Sequence, residues 1–292
     1  MAPRLALNLV SGQRPVGTST RGTTSPHRLR RVDRWLIARY GDRLRSTPAP
    51  VVIDLGYGAH PVTTVELSHR LRAVNLGVLV AGIEIDPERV SRAQPLAHEA
   101  LVFVHGGFEL APGHLPDRFA ARPLVIRAAN VLRQYDESDV APAWAMLTSR
   151  LADQGVLLDV TCDETGRRAC WVEVTRHGPT SLSFAAGLKW LERPSALAER
   201  LPKALIHRNV PGERVHEFLS AWDQAWQHCA PVGTYGRRQR FMAAAQRLRA
   251  DGWPLRDGPR RWRLGELTVA WEAVRPQSEN LPREARGAHS RA

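Results

Sequence analysis

Residues 51–60 read VVIDLGYGAH. Val51, Val52, Ile53 and Leu55 predict a short buried strand, after which the chain gives up its side chain at two of three positions, Gly56 and Gly58. A strand ending in Asp-x-Gly-x-Gly can turn sharply and lie flat against a ligand, because a Cβ at either glycine would collide with it. In α/β proteins the carboxyl end of such a strand is where nucleotides bind. The third glycine of the dinucleotide fingerprint G-x-G-x-x-G is missing, since the loop reads GYGAHP with Pro61 in that place. Pro61 suits the opening of the next helix, where its absent N–H costs nothing, but the loop is poorly suited to cradle a pyrophosphate. Asp54 stands two residues before the first glycine, where it can meet a cationic or polar ligand. The next strand ends in AGIEIDPERV and places Glu84 where a carboxylate can take both hydroxyls of a ribose.

Outward from this stretch the chain alternates strand and helix signals. A helix is expected over Val62–Val74, a strand over Val78–Ile85, and a helix opening near Pro87 with Asp86 as its cap. Further strands are expected at Leu101–His105, Leu124–Ala128 and Val156–Val160, with a helix over Ser138–Leu151. This order implies an α/β fold, a mostly parallel sheet with helices on both faces. Upstream, apolar positions from Arg28 to Leu44 recur at helical spacing before TPAP (Thr47–Pro50) breaks the chain. Downstream, Cys170–Thr175 and Ser181–Ala185 read as a hairpin, Val215–Cys229 and Arg237–Arg249 as helices, and Leu267–Val274 as a closing strand. Trp222 and Trp226, four apart, read as a packing pair. The expected organisation is a basic arm and helix (1–47), a core (48–161), an inserted specificity region (162–250), closing strands (251–275) and a flexible tail (276–292).

No apolar run approaches the ~20 residues that span a bilayer, and the N-terminal LALNLV is too short for a signal core. Cys162, Cys170 and Cys229 show no C-x-x-C spacing, so they read as free thiols in a reducing cytoplasm with no structural zinc. The net charge of +12 is unevenly spread. Residues 1–50 hold ten arginines against Asp33 and Asp42, whereas residues 51–160 hold nine arginines against thirteen acids. A basic arm therefore leads an acidic core, an asymmetry that favours an anionic partner or a solvated surface. Only Lys189 and Lys203 are lysines, so arginine-rich composition accounts for much of the total.

VIDLGYGAHP followed by VAGIEIDPERV resembles motif I and the adjoining acidic motif of class I S-adenosylmethionine-dependent methyltransferases. The resemblance covers about residues 50–160. It implies a Rossmann-like methyltransferase sheet with an antiparallel closing strand and S-adenosylmethionine as cofactor. It places Asp54 near the methionine moiety, Gly56, Tyr57 and Gly58 beneath the donor, Glu84 with Ile85 at the ribose, and Gly107 with Phe108 at the adenine, although the usual polar residue is absent there. A NAD-type Rossmann domain and a non-catalytic relative are the competing readings. His60 and Tyr57 read as walls of the pocket.

Acceptor chemistry in that family usually lies at the end of strand four, which here reads Arg127-Ala128-Ala129-Asn130. The Asp/Asn-Pro-Pro-aromatic motif is missing, which argues against a methylase of exocyclic base amines or glutamine. Asn130 is the candidate that could orient an acceptor, beside the reading of a hydrogen-bonded loop asparagine. Thr161-Cys162 ends strand five where RNA cytosine-5 methyltransferases place a nucleophilic cysteine, but the partner Pro-Cys is missing and a small strand-end residue suffices. Arg28, Arg30, Arg31 and Arg34 can hold a phosphate-bearing substrate, or the arm can fold over the donor as a lid. The expected acceptor is anionic, RNA or an acidic small molecule. The alternative is a nucleic-acid-binding or scaffold protein that keeps the fold without the chemistry.

Overall fold

The computed structural model describes residues 15–19, 22, 24–110 and 113–277. The readings of LALNLV and of most of the tail lie outside them. Eight strands form one sheet in the order β3-β2-β1-β4-β5-β6-β7-β8. They are β1 Val51–Leu55, β2 Leu79–Glu84, β3 Leu101–His105, β4 Val125–Ala129, β5 Val156–Cys162, β6 Arg168–Thr175, β7 Gly178–Ala186 and β8 Glu266–Ala270. β1 to β5 are parallel, and β6, β7 and β8 each run antiparallel to the strand before them. This is the Rossmann-like methyltransferase sheet implied by the sequence. The helices are α1 Arg30–Ser46, α2 Val62–Arg72, α3 Pro87–Ala93, α4 Glu137–Ser149, α5 Lys203–Ile206, α6 Arg214–His228, α7 Arg237–Ala250 and α8 Pro259–Trp262.

Alternation along the strands builds two cores. Val51, Ile53 and Leu55 face one, with Ile126, Trp144 of α4 and the α6–α7 aromatics. Val52 and Val125 face the other, with Leu36 of α1, Leu67 of α2 and Val90 of α3. Strands buried on both sides explain the continuous apolar runs that marked them in sequence. Asp86 caps α3 as expected, its Oδ1 accepting the Glu88 N–H at 3.0 Å.

Three expectations need correction. The segment 162–250 is not wholly an insertion, because its hairpin supplies β6 and β7, which bury Trp171 and Phe184 completely. A hairpin apolar on both faces cannot stand outside the sheet, and it adds two strands between the parallel half and the closing strand. The closing strand is also shorter than Leu267–Val274, since Trp271–Ala273 winds into a 3-10 turn that lets Trp271 pack edge-on against Trp144 at 5.9 Å. The outer edge of β8 is met by the chain's own backbone. Arg256 N–H donates to the Thr268 carbonyl at 2.8 Å and Ala270 N–H to that of Pro254 at 3.0 Å. Nor do Trp222 and Trp226 form a pair: Trp222 packs against Phe184, Phe218 and Phe241, while Arg240 covers Trp226. Of the tail, Gln277 donates its N–H to Glu213 at 2.9 Å.

Asp159 in β5 is buried, and its Oδ2 accepts the Trp144 Nε1–H at 3.1 Å. Burial pushes its pKa up to about 7, against the smaller lowering effect of that bond. The folded state therefore holds a proton that the unfolded chain releases near pH 4, and stability falls as pH rises from there towards 7. Asp159→Asn is expected to flatten this slope and raise the melting temperature at pH 8 but not at pH 4. Equal melting shifts at both pH values would show that Asp159 is not the titrating group.

Candidate active site

β1 pairs with β2 on one side and β4 on the other, so the order of the parallel strands reverses between β1 and β4. Ligands in open α/β sheets bind at such a switch point, beyond the carboxyl ends of the strands. A crevice of about 310 Å³ lies there, lined by Asp54, Gly56, Tyr57, Gly58, Arg28, Asn130 and Arg133 among others. At Gly56 it meets a slit of about 20 Å³ lined by Glu84, Ile85, Gly107, Phe108, Val131 and Tyr135. The structure thus gathers all eight expected cofactor-binding residues around two adjoining spaces, with Asn130 on the crevice wall.

The glycines are conformationally required. Gly56 has φ +67° and Gly58 φ +84°, a region L-residues rarely adopt. A Cβ on Gly56 would come 2.7 Å from Val131, and one on Gly58 would come 2.9 Å from the carbonyl oxygen of Gly22. That second contact differs from the expected one, because the loop's nearest neighbour is the chain's own N-terminal arm. A Cβ on Gly107 would likewise overlap the Val16 carbonyl.

The arm crosses the slit by backbone hydrogen bonds, which any sequence can make. Val16 accepts from the Phe108 N–H at 2.9 Å, and Gly22 accepts from the Ala59 N–H at 3.0 Å. Glu109 joins arm and β3 loop, taking the Val16 N–H at 2.8 Å and the Gly107 N–H at 2.7 Å. The Tyr135 hydroxyl accepts the Thr18 N–H at 2.7 Å.

The two acids differ from their sequence reading. Glu84 is buried, and its Oε2 accepts the Gly58 N–H at 2.9 Å while Oε1 accepts the Ile85 N–H at 3.0 Å. Oε1 also accepts the Asp86 N–H at 3.3 Å and pairs with Arg89 at 3.6 Å, so Glu84 already braces the glycine loop and the start of α3 while lining the slit. Asp54 is engaged by a buried cation. Its Oδ1 accepts Arg127 Nε–H at 2.9 Å, and its Oδ2 accepts Arg127 Nη2–H at 2.7 Å and the Thr64 hydroxyl at 2.6 Å. Arg127 has no exposed surface and also bonds Asp33 of α1. Asp54 is therefore first the counter-ion of a buried arginine, and any contact with a ligand is added to that role.

Other residues fall into place around the crevice. Tyr57 is buried edge-on to Phe103 at 5.4 Å, and burial followed by the Glu84 charge drives its pKa upward, so it remains a neutral wall. His60 is exposed. Asn130 adopts φ +59° and accepts the Cys162 N–H at 3.0 Å through Oδ1. Its side chain thereby ties β4 to β5, the loop-asparagine reading. Cys162 is buried and its Sγ faces Asn130 Nδ2 at 3.4 Å.

Sequence reasoning missed Arg127, Tyr135, Arg133 and the path of Val16–Thr18. The signal for Arg127 was present, since a lone arginine inside PLVIRAAN on a buried strand requires buried acids. The four arm arginines separate: Arg28 lines the crevice and donates Nε–H to the Asp163 carbonyl at 2.9 Å, while Arg30, Arg31 and Arg34 line another groove.

No helix among the described residues is long and apolar enough to cross a membrane. No protein-family model matches the chain, and no curated protein matches it. Among solved structures it is similar to magnesium protoporphyrin IX methyltransferase from Synechocystis PCC 6803 with bound SAH. The identity is 21% and the TM-score 0.35, over 48% of this chain and 57% of that one. It is similar to human N-acetylserotonin methyltransferase in complex with SAM at 21% identity and a TM-score of 0.30, over 45% of this chain and 37% of that one. For the CcbJ methyltransferase from Streptomyces caelestis the values are 16%, 0.33, 55% and 70%. The chain thus spans less than two thirds of the length of the first two. It is the chain's own strand order, β3-β2-β1-β4-β5 followed by three antiparallel strands, that makes this a Rossmann-like methyltransferase fold.

Proposed function

We propose that the protein is an S-adenosylmethionine-dependent methyltransferase. The observation that carries this reading is the convergence of the Gly56–Gly58 loop, Glu84 and the Gly107–Phe108 turn on one switch-point crevice. When bound, the donor supplies an electrophilic methyl group on a sulfonium. In this reading Gly56 and Gly58 lie beneath it, Glu84 and Ile85 hold the ribose, and Phe108 faces the base. Asp54 acts chiefly by fixing the loop through Arg127. A slit of about 20 Å³ has room for about one water molecule, so the arm over Gly107 must lift before a nucleoside can enter.

Transfer then needs an aligned acceptor and exclusion of water rather than an obligatory base. An anionic acceptor, an acidic small molecule or RNA, is supported by the arginines of the crevice. Arg133 Nη1 is buried with no partner among the described residues. Burial, reinforced by neighbouring Arg200, lowers the Arg133 pKa, a strain that a bound anion would relieve. Within 162–250, the parts outside β6 and β7 remain the natural place for acceptor specificity.

Calorimetry with S-adenosylhomocysteine is expected to detect binding, and that ligand but not NAD should raise the melting temperature. Glu84→Ala should weaken binding by about 1–3 kcal/mol, through loss of charge-assisted bonds to ribose and loop. A melting shift with NAD alone would overturn the donor assignment.

A further inference from the structure

Beside the crevice runs an open groove of about 810 Å³. One wall is α1, which contributes Arg30, Arg31 and Arg34; the other is built from the β5–β6 turn, the first turn of α7 and the segment 261–264. Each part of that second wall also brings arginine: Arg167, Arg238, then Arg261 with Arg263. Among the described residues the one carboxylate on these walls is Glu266, which is buried and ion-paired with Arg261. Arg30, Arg34, Arg238 and Arg263 are exposed and have no carboxylate partner among the described residues.

Two details show that this positive charge is under-compensated. The Nε–H of Arg261 is buried without an acceptor, a state that buried donors rarely tolerate. Burial lowers the Arg31 pKa; Glu266 is the largest charge opposing it, Arg30 and Arg34 add to the lowering, and Asp163 opposes it more weakly. Past Arg261 a second cavity of about 200 Å³ continues to Arg256, but there Asp257 also lines the wall and Arg39 is paired with Glu173 at 3.7 Å, so the unmet charge belongs to the first groove. At the edge of the groove, next to Arg167, stands Trp190, 49% exposed, with the Arg167 guanidinium 4.5 Å and the Lys189 ammonium 5.2 Å from its ring.

We propose that this groove binds a single-stranded nucleic acid along its phosphodiester backbone, with Trp190 as a stacking platform for a base. The α1 arginines of the groove run from Arg30 to Arg34, a rise of about 6 Å, and the remaining arginines stand on three other segments, so the charge is distributed along the groove rather than gathered around one phosphate. Walls of arginine on two sides match a narrow chain, whereas a flat membrane surface or a single phosphorylated side chain would leave most of them unmet. An exposed aromatic beside a cationic track is the recurring means of holding unpaired bases. His27 lines the groove and Arg28, its neighbour in sequence, lines the crevice. A strand in the groove thus passes the mouth of the proposed active site. The inference deepens the reading of an anionic acceptor and rests on it for the groove's purpose, while binding itself is measured without any donor.

The test is fluorescence anisotropy with a labelled twelve-nucleotide oligouridylate across a salt series. Wild type should bind with an affinity that falls steeply with salt. Arg30→Gln/Arg34→Gln/Arg263→Gln should weaken binding at least tenfold and lower the log–log salt slope by about 2, the value for three lost phosphate contacts to a single strand. Trp190→Ala should weaken binding about fivefold or more without changing the slope. A charge-matched control elsewhere on the surface, Arg92→Gln/Arg118→Gln/Arg150→Gln, should stay within twofold of wild type. Equal losses in the two triple variants would overturn the proposal, as would tighter binding to phosphatidylserine vesicles than to the oligonucleotide. S-adenosylhomocysteine binding, measured on the same proteins, should be unchanged in the groove variants. Its absence from wild type would remove the donor reading and leave the groove standing.

Discussion

Arg127→Met is expected to destabilise the fold by about 3–5 kcal/mol, the cost of leaving a buried charge without its partner. The guanidinium has no exposed surface and bonds Asp54 on two nitrogens, the Thr63 carbonyl at 3.1 Å and Asp33. Methionine fills much of the same volume, so the loss is electrostatic rather than a cavity. It strands Asp54 on β1, while Asp33 keeps only Arg70, at 2.6 Å. For a chain of this size the melting temperature should fall by about 10 °C. Adding Asp33→Asn and Asp54→Asn to the methionine variant should recover part of that fall, because the anions vanish with the cation. A single variant that melts like wild type would show that the network is not holding β1, β4 and α1 together.

Gly58→Val is expected to weaken S-adenosylhomocysteine binding at least a hundredfold, about 2.7 kcal/mol. Two effects act together. A β-branched residue at φ +84° is a backbone outlier, and its Cβ would press on the Gly22 carbonyl at 2.9 Å. The loop must then shift, taking the Gly58 N–H away from Glu84. Starting the chain at Thr24 removes the steric conflict but not the backbone strain, so truncation should not restore affinity in the valine variant. Calorimetry on both proteins checks this. Wild-type affinity in Gly58→Val would place the donor elsewhere.

The parallel half of the sheet was legible because its strands are buried on both faces and end in turn residues. Gly56, Gly58 and Glu84 announced the crevice through chemistry that is local in sequence. What stayed hidden depends on contacts distant along the chain. Nothing in Val16-Gly17-Thr18 marks it as a cover for Gly107, since it binds through backbone groups. Asp54 looked like a free ligand because its partner, Arg127, lies 73 residues away. The hairpin β6–β7 was seen as a hairpin but not as part of the sheet, because strand pairing with β5 leaves no local trace.

The seam along β8 sets how the molecule can associate. A sheet that ends in a bare strand offers a row of unmet N–H and C=O groups on which another chain can template itself. Here residues 254–256 fold back and take that row, through Arg256 N–H to Thr268 and Ala270 N–H to Pro254. Strand addition at this end is foreclosed from within, so runaway polymerisation through β8 is blocked. Any self-assembly on this flank has to proceed through side chains.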